Sequence, residues 1–255
     1  MPWPVWPSGC GAAVPVVVAR ISADREGTYW HDARCPCRHV CRLRVVSLLV
    51  LASNFCFCYF VNNTRMPAAT KAILLPGNGC PGNGASLTNV MWYGWIAAEL
   101  KKHFNIECNP IGFPYPLEAF EHAWKEFAVK ELGLDENTLI IGHSSGAACA
   151  LRLMEEHKTA GCILVSAYDS DLGDELERES GYFDRPFNYE QMVANTPFIL
   201  QFHAVNDPLV PFSSGLRVAE GTKSEFVKSP NDGHFNEKTR YPVFIEKLVP
   251  HLKPQ

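Results

Sequence analysis

The chain has 255 residues, 47% of them hydrophobic and 20% charged, with a formal net charge of −4. That is enough apolar material for one or two globular domains. The mildly acidic balance, with no long basic tract beside an aromatic stripe, argues against a nucleic-acid-binding surface, and no fixed-period repeat marks a solenoid.

The first quarter differs from the rest. Met1 to Arg65 carries seven arginines and no lysine, and six of the ten cysteines (Cys10, Cys35, Cys37, Cys41, Cys56 and Cys58). Its opening, MPWPVWPSGCGAAVP, offers little for a core. We therefore divide the chain into an N-terminal extension, 1–66, expected to be poorly ordered, and a folded unit, 67–255. Within the extension, Val45 to Val61 is nearly all apolar and follows Arg38, Arg42 and Arg44. This is the pattern of a signal-anchor, which would place the downstream domain in a lumen. The run is at the short end for a span and is interrupted by Ser47, Ser53 and Asn54. The simpler reading is a cytoplasmic protein for which Met66 is the more natural start. Cys35, Cys37 and Cys41 with His31 and His39 lack a second, well-spaced ligand pair, so no zinc site is assigned.

From residue 67 onward, short apolar runs alternate with helical patterns. KAILL (71–75) reads as a buried strand ending at Pro76-Gly77. WYGWIAAELKKHF has apolar residues at helical spacing, NIECNP is a short strand, and LEAFEHAWKEFAVKELGL has a helical apolar face through Phe120, Trp124, Phe127 and Leu132. TLIIG is a buried strand followed by a helix from about Ala147 to His157. GCILVSA, PFILQFHA and KSEFVKS are further strands, and YPVFIEKLVPHL is a terminal helix. Buried strands separated by helices predict an α/β fold: a mostly parallel central sheet with helices on both faces, in three layers. Sites in such sheets form at the carboxyl ends of the strands.

One strand end carries a motif. Gly142-His143-Ser144-Ser145-Gly146 fits G-x-S-x-G, between an apolar strand and the small-residue helix AACALRLM. This is the context of a nucleophile elbow, with Ser144 lifted above the sheet and the Ser145 N–H aimed where an oxyanion would form. A serine hydroxyl needs a base. The elbow should turn the His143 side chain away, so the base must come from downstream, in the order Ser, acid, His. Asp207, after the strand 198–204, is the acid candidate, and His234, in the loop SPNDGHF after the last strand, is the histidine. Asp232, Asp169, Asp171 and Asp174 are competing acids, and His203 is a bystander. The second oxyanion donor should come from the Gly-rich loop PGNGCPGNGAS, with the backbone N–H of Asn78 favoured and Gly79 next. That loop lacks the Lys-Ser/Thr ending of a phosphate-binding loop, so a nucleotide is not expected.

The segments ILLPGNG, WYGW, IIGHSSGA, LVSAYDSDLGDE, SGYFDRPF, DPLVP and DGHF, in this order, resemble the small α/β-hydrolase family of retinoblastoma-binding protein 9. The resemblance runs from about Ala69 to Leu252. It implies a compact hydrolase without a large cap domain, and a triad of Ser144, Asp207 and His234, the residues already reached from the strand ends. It implies acyl transfer from a small ester or amide, or a short peptide-like substrate, with no metal or organic cofactor. Trp92, Trp95, Tyr182, Phe183 and Phe187 are candidates for the aromatic walls of the substrate site. The alternative is a protein-binding module on a hydrolase fold with a retinoblastoma-type partner and little catalysis; against that partner, Leu132-Gly133-Leu134-Asp135-Glu136 has Leu134 where the family's pocket-binding motif has cysteine. A monomer is expected.

Overall fold

The computed structural model describes residues 69–252, together with three short strands in the N-terminal extension. These strands, β1 (Arg20–Ala23), β2 (Tyr29–Asp32) and β3 (Leu43–Arg44), pair antiparallel in sequence order. The apolar run 45–61, on which the signal-anchor reading rests, lies outside the described residues, as do Cys35, Cys37, Cys41 and His39. The chain divides into two compact units, Met1–Thr64 and Arg65–Gln255. Among the described residues no helix is long and apolar enough to cross a membrane.

The second unit is built on six parallel strands: β4 (Lys71–Leu75), β5 (Glu107–Cys108), β6 (Thr138–His143), β7 (Gly161–Val165), β8 (Ile199–Ala204) and β9 (Glu225–Ser229). Their order across the sheet is β5-β4-β6-β7-β8-β9. Within this sheet the path runs from β4 outward to β5 on one side, then crosses to β6 on the other. The switch point, where a crevice opens beyond the strand ends, therefore lies between β4 and β6.

The central strands are apolar because helices cover both faces. Every residue of β6, β7 and β8 is buried. Side chains alternate along each strand, so alternate residues feed two cores. Leu74, Ile141, Val165 and Phe202 face helices α1 (Tyr93–Phe104) and α7 (Pro242–Leu248), packing on Trp92, Ile96, Leu100 and Phe244. Ile73, Ile140, Cys162 and Leu164 face the other layer, whose contributors include α2 (Glu121–Glu126), α3 (Ser145–Glu156), α5 (Tyr189–Asn195) and α6 (Phe212–Thr222). In α1 the buried positions Tyr93, Ile96, Leu100 and Phe104 follow helical spacing, and Asn105 ends the helix in a left-handed conformation.

The stretch expected as one helix through Phe120 and Leu132 is shorter and broken. Ala119 takes φ +49°, which stops any helix from starting earlier, and the regular α2 gives way to a π-helical turn over Phe127–Glu131. Beyond it, Leu134 is buried among the core residues under the sheet.

Between β7 and α5 the chain runs over the strand ends through the short helix α4 (Glu175–Glu179). Arg152, on α3 and wholly buried, fixes the end of this excursion. Its guanidinium donates to the carbonyls of Tyr182, Arg185 and Pro186 and pairs with Glu155, while Phe187 stacks on it at 3.8 Å. Arg185 adds a bidentate pair to Glu121 on α2. A buried cation shared among so many oxygens is well satisfied, which its desolvation requires.

Close backbone approach joins α3 to β4. A Cβ on Gly146 would lie 2.1 Å from the Leu75 carbonyl oxygen and 2.5 Å from that of Pro76. Gly146→Ala must push α3 off the sheet, so it should cost about 1–3 kcal/mol or more of stability. The expected result in urea denaturation is a lower midpoint with an unchanged slope. A wild-type midpoint would show that this contact does not set the helix position.

Candidate active site

The loops after β4, β6, β7, β8 and β9 converge over the switch point. Ser144 joins β6 to α3 with φ +55° and ψ −122°, a strained conformation for a residue with a side chain. It is held there from both sides. Its N–H donates to the Val165 carbonyl at 3.0 Å, and its own carbonyl accepts the Ala147 N–H at 2.7 Å. Gly142 is required as well, since a Cβ there would come within 2.6 Å of the Gly146 carbonyl oxygen. The loop after β4 passes against the serine, as a Cβ on Gly77 would stand 3.4 Å from Ser144 Cβ.

Asp207 and His234 meet as expected. His234 Nδ1 lies 3.0 Å from both carboxylate oxygens of Asp207. Burial alone would raise the Asp207 carboxyl. Hydrogen bonds from His234, the Val210 N–H (3.0 Å) and the Ser166 hydroxyl (2.7 Å) outweigh it and hold the pKa down to about 2. The Leu209 N–H donates to the same carboxylate. An ionised Asp207 accepts only, so His234 Nδ1 donates to it, and in the neutral imidazole Nε2 carries the lone pair. The Asn206 side chain accepts the Gly233 N–H at 3.0 Å, tying the acid loop to the histidine loop.

The rival acids are engaged elsewhere. Asp232 pairs with Lys238 and Ser229, Asp169 with Arg217, Asp171 with Arg178, and Asp174 caps α4. His203 is buried, with Nε2 against the Val210 carbonyl.

His143 does more than turn aside. Its Nδ1 lies 2.8 Å from the Tyr93 hydroxyl, which itself accepts the Gly77 N–H at 3.1 Å. Its Nε2 lies 2.8 Å from the His234 carbonyl oxygen. Carbonyls only accept, so Nε2 carries the proton and Nδ1 accepts from Tyr93. Complete burial, with His234 close by, pushes the His143 pKa down to about 3. The neutral ring thus holds the backbone of the residue that Asp207 orients by its side chain. Trp92 pins the next carbonyl: its indole N–H donates to Phe235 at 2.9 Å.

In the loop after β4, the Gly77 N–H goes to Tyr93 and the Gly79 N–H to the Pro116 carbonyl at 2.7 Å. Gly79 is therefore engaged as a donor within the protein. Among the described residues, no hydrogen-bond partner meets the Asn78 N–H. The Ser145 N–H opens α3, where no carbonyl one turn back is available to it.

Two of the aromatic wall candidates need correction. Trp92 and Tyr182 are wholly buried in the two cores, where their neighbours are other protein side chains. Trp95 is half-buried against the α1 core. Phe183 packs on Tyr168, and Phe187 is covered by Arg152. Four residues at the site were not singled out from the sequence: Tyr93, Ser166, Asn206 and Glu177. Ser166 had a signal, since it directly follows a strand. The other three are placed by contacts between distant segments.

A family model for serine hydrolases matches residues 80–248. The chain is 41% identical over 189 residues to serine hydrolase RBBP9 of Rattus norvegicus, covering 74% of this chain and 99% of that one. The chain belongs to the serine hydrolase family, and it is an enzyme that hydrolyses esters or amides. Among solved structures, this serine hydrolase is similar in fold to the ydeN gene product of B. subtilis, with a TM-score of 0.62, 21% identity, and coverage of 71% of this chain and 98% of that one. It also resembles serine hydrolase CCSP0084 of Cycloclasticus zankles, at a TM-score of 0.50, 15% identity, and coverage of 72% and 90%. These likenesses bear out the compact α/β-hydrolase architecture.

The two site shifts have one sign. His143 folds with a pKa of about 3 against an ordinary value of about 6.5, so its contribution to stability is complete above about pH 6.5 and is lost as pH falls towards about 3. Asp207, at about 2, adds a second loss below about pH 3.9. The thermal midpoint should therefore be lower at about pH 4.5 than at about pH 7. The His143 ring nitrogens should keep neutral-tautomer NMR shifts across that interval. Titration of His143 near its ordinary value would contradict the buried, neutral assignment.

Proposed function

We propose that the serine hydrolase acts through an acyl-enzyme on Ser144. His234 Nε2 takes the hydroxyl proton as Ser144 Oγ attacks the substrate carbonyl. Asp207 keeps His234 in the productive tautomer and stabilises the imidazolium. The C–O or C–N bond of the substrate then breaks, and His234 returns the proton to the leaving alcohol or amine. Water, deprotonated by the same imidazole, releases the acid and regenerates Ser144. Each tetrahedral oxyanion is stabilised by the backbone N–H groups of Asn78 and Ser145. The observation that carries this reading is the Asp207–His234 pair, with Nε2 left as an acceptor and its backbone tied to the residue before the strained Ser144.

The substrate is a small ester or amide. Exposed Tyr115 and Leu117 flank Pro116, whose carbonyl holds Gly79, and exposed Leu176 lies beside Glu177. Apolar side chains on the segments bordering the oxyanion loop favour an apolar acyl group. Among the described residues Cys80, Cys108, Cys149 and Cys162 are unpaired, which supports a reducing cytoplasm over a lumen. The domain is read as a monomer. A retinoblastoma-type partner is no part of this reading, since the 132–136 segment would have to withdraw Leu134 from the core to present it.

A fluorophosphonate probe should label the wild type and leave Ser144→Ala unlabelled and inactive; persistent labelling of that variant would overturn the nucleophile. Asp207→Asn should lose about 10⁴-fold in kcat while keeping residual turnover from the oxyanion hole. Across p-nitrophenyl esters of graded chain length, KM should fall from acetate to the longer acyl groups, and a flat series would remove the apolar preference.

A further inference from the structure

Glu177 has no part in the reaction as described, yet it is nine-tenths buried at the site. It stands on α4, whose capping residue Asp174 accepts the Glu177 N–H at 3.1 Å. Its Oε1 accepts the Ser145 hydroxyl at 2.8 Å and is 3.5 Å from Asn78 Nδ2. The Tyr168 hydroxyl donates to Ser145 Oγ at 3.2 Å. Its second oxygen, Oε2, is buried and has no partner among the described residues.

The environment is unfavourable for a carboxylate. Burial raises the Glu177 pKa, against the nearby Tyr168 hydroxyl and the hydrogen bond from Ser145, which lower it, and Asp174 adds to the increase. No lysine or arginine salt bridge is formed by Glu177 among the described residues. A buried acid with one unsatisfied oxygen costs stability, so its benefit is sought in what Oε1 touches.

The two residues at Oε1 are the two that offer backbone donors to the oxyanion. They come from different loops. Ser145 is fixed as the first residue of α3. Asn78 is exposed, followed by Gly79 at φ +76°, and its own N–H makes no bond that would hold it. The spacing between two oxyanion donors must be kept to within about 0.5 Å. Glu177 is the group that reaches both residues.

We propose that Glu177 is a positioning residue that sets the oxyanion hole: its Oε1 tethers the side chains of Asn78 and Ser145, and so holds their backbone N–H groups at the spacing the tetrahedral intermediate requires. The proposal rests on the reading of Asn78 and Ser145 as the oxyanion donors. A hydrogen bond to the oxyanion strengthens in the transition state, so loss of the tether lowers kcat and kcat/KM together and leaves KM largely unchanged.

The test is steady-state kinetics on a p-nitrophenyl ester for full-length Glu177→Ala, Glu177→Gln and Ser145→Ala, with active sites counted by fluorophosphonate labelling. Counting removes any loss due to unfolded protein. Glu177→Ala should lose about tenfold or more in kcat per labelled site, within the range for weakening one oxyanion donor. Glu177→Gln keeps an acceptor oxygen and should return to within about threefold of wild type. Combining Glu177→Ala with Ser145→Ala should cost less than the product of the single losses, because both cut one connection. If Glu177→Ala does not fold, the proposal stands on Glu177→Gln remaining active and Ser145→Ala losing kcat. An unchanged kcat per site in Glu177→Ala, a loss confined to KM, or a Gln variant as slow as the Ala variant overturns it. Activity that survives Ser144→Ala would instead overturn the underlying acyl-enzyme reading, so the two failures are distinct.

Discussion

The site depends on how closely the start of α3 lies against the end of β4. With no side chain on Gly146, the helix backbone reaches the Leu75 and Pro76 carbonyls. That contact puts the turn after β6 and the loop after β4 side by side at the switch point. It brings Gly77 against Ser144 and sets the two loops that carry Asn78 and Ser145 beside each other. The strain at Ser144 follows from the same geometry, because a chain leaving a buried strand and entering a helix this close to the next strand has to reverse within one residue. Packing of both faces of the sheet, together with hydrogen bonds on each side of the turn, offsets a cost on the order of 1–3 kcal/mol.

A second set of constraints fixes the histidine loop. Gly77, Tyr93 and His143 form a chain of neutral hydrogen bonds that ends on the His234 carbonyl, and Trp92 holds the carbonyl after it. Burial decides the electrostatics. It keeps His143 uncharged, so a second cation does not compete with the imidazolium proposed for His234. The Asp207 side chain is buried as well but receives donors from four residues, so it stays charged. One environment neutralises a group and the other ionises one, and their difference lies in the number of donors supplied.

Much of this was legible in the sequence. Apolar runs of five or six residues marked the central strands because those strands are buried on both faces, and glycines around Ser144 marked the elbow because no side chain fits there. Chain order then led to Asp207 and His234. Trp92 and Tyr182 are core residues rather than substrate walls, because an aromatic residue near a motif does not reveal from sequence which neighbours cover it. His143 was set aside on the correct ground that its ring points away from Ser144. Its use depends on a bond to a carbonyl 91 positions later, which no local pattern encodes. Glu177 was hidden for the same reason, as an acidic residue in an acidic stretch whose partners lie in two other loops.

The account turns on where the oxyanion forms. The most direct measurement is a crystal structure of the protein after reaction with a fluorophosphonate, whose tetrahedral phosphorus stands in for the intermediate. The account predicts phosphorus bonded to Ser144 Oγ, with one phosphonyl oxygen within hydrogen-bond distance of the backbone nitrogens of both Asn78 and Ser145, and His234 still paired with Asp207. Phosphorus on another residue, or a phosphonyl oxygen turned to solvent away from those two nitrogens, would contradict it.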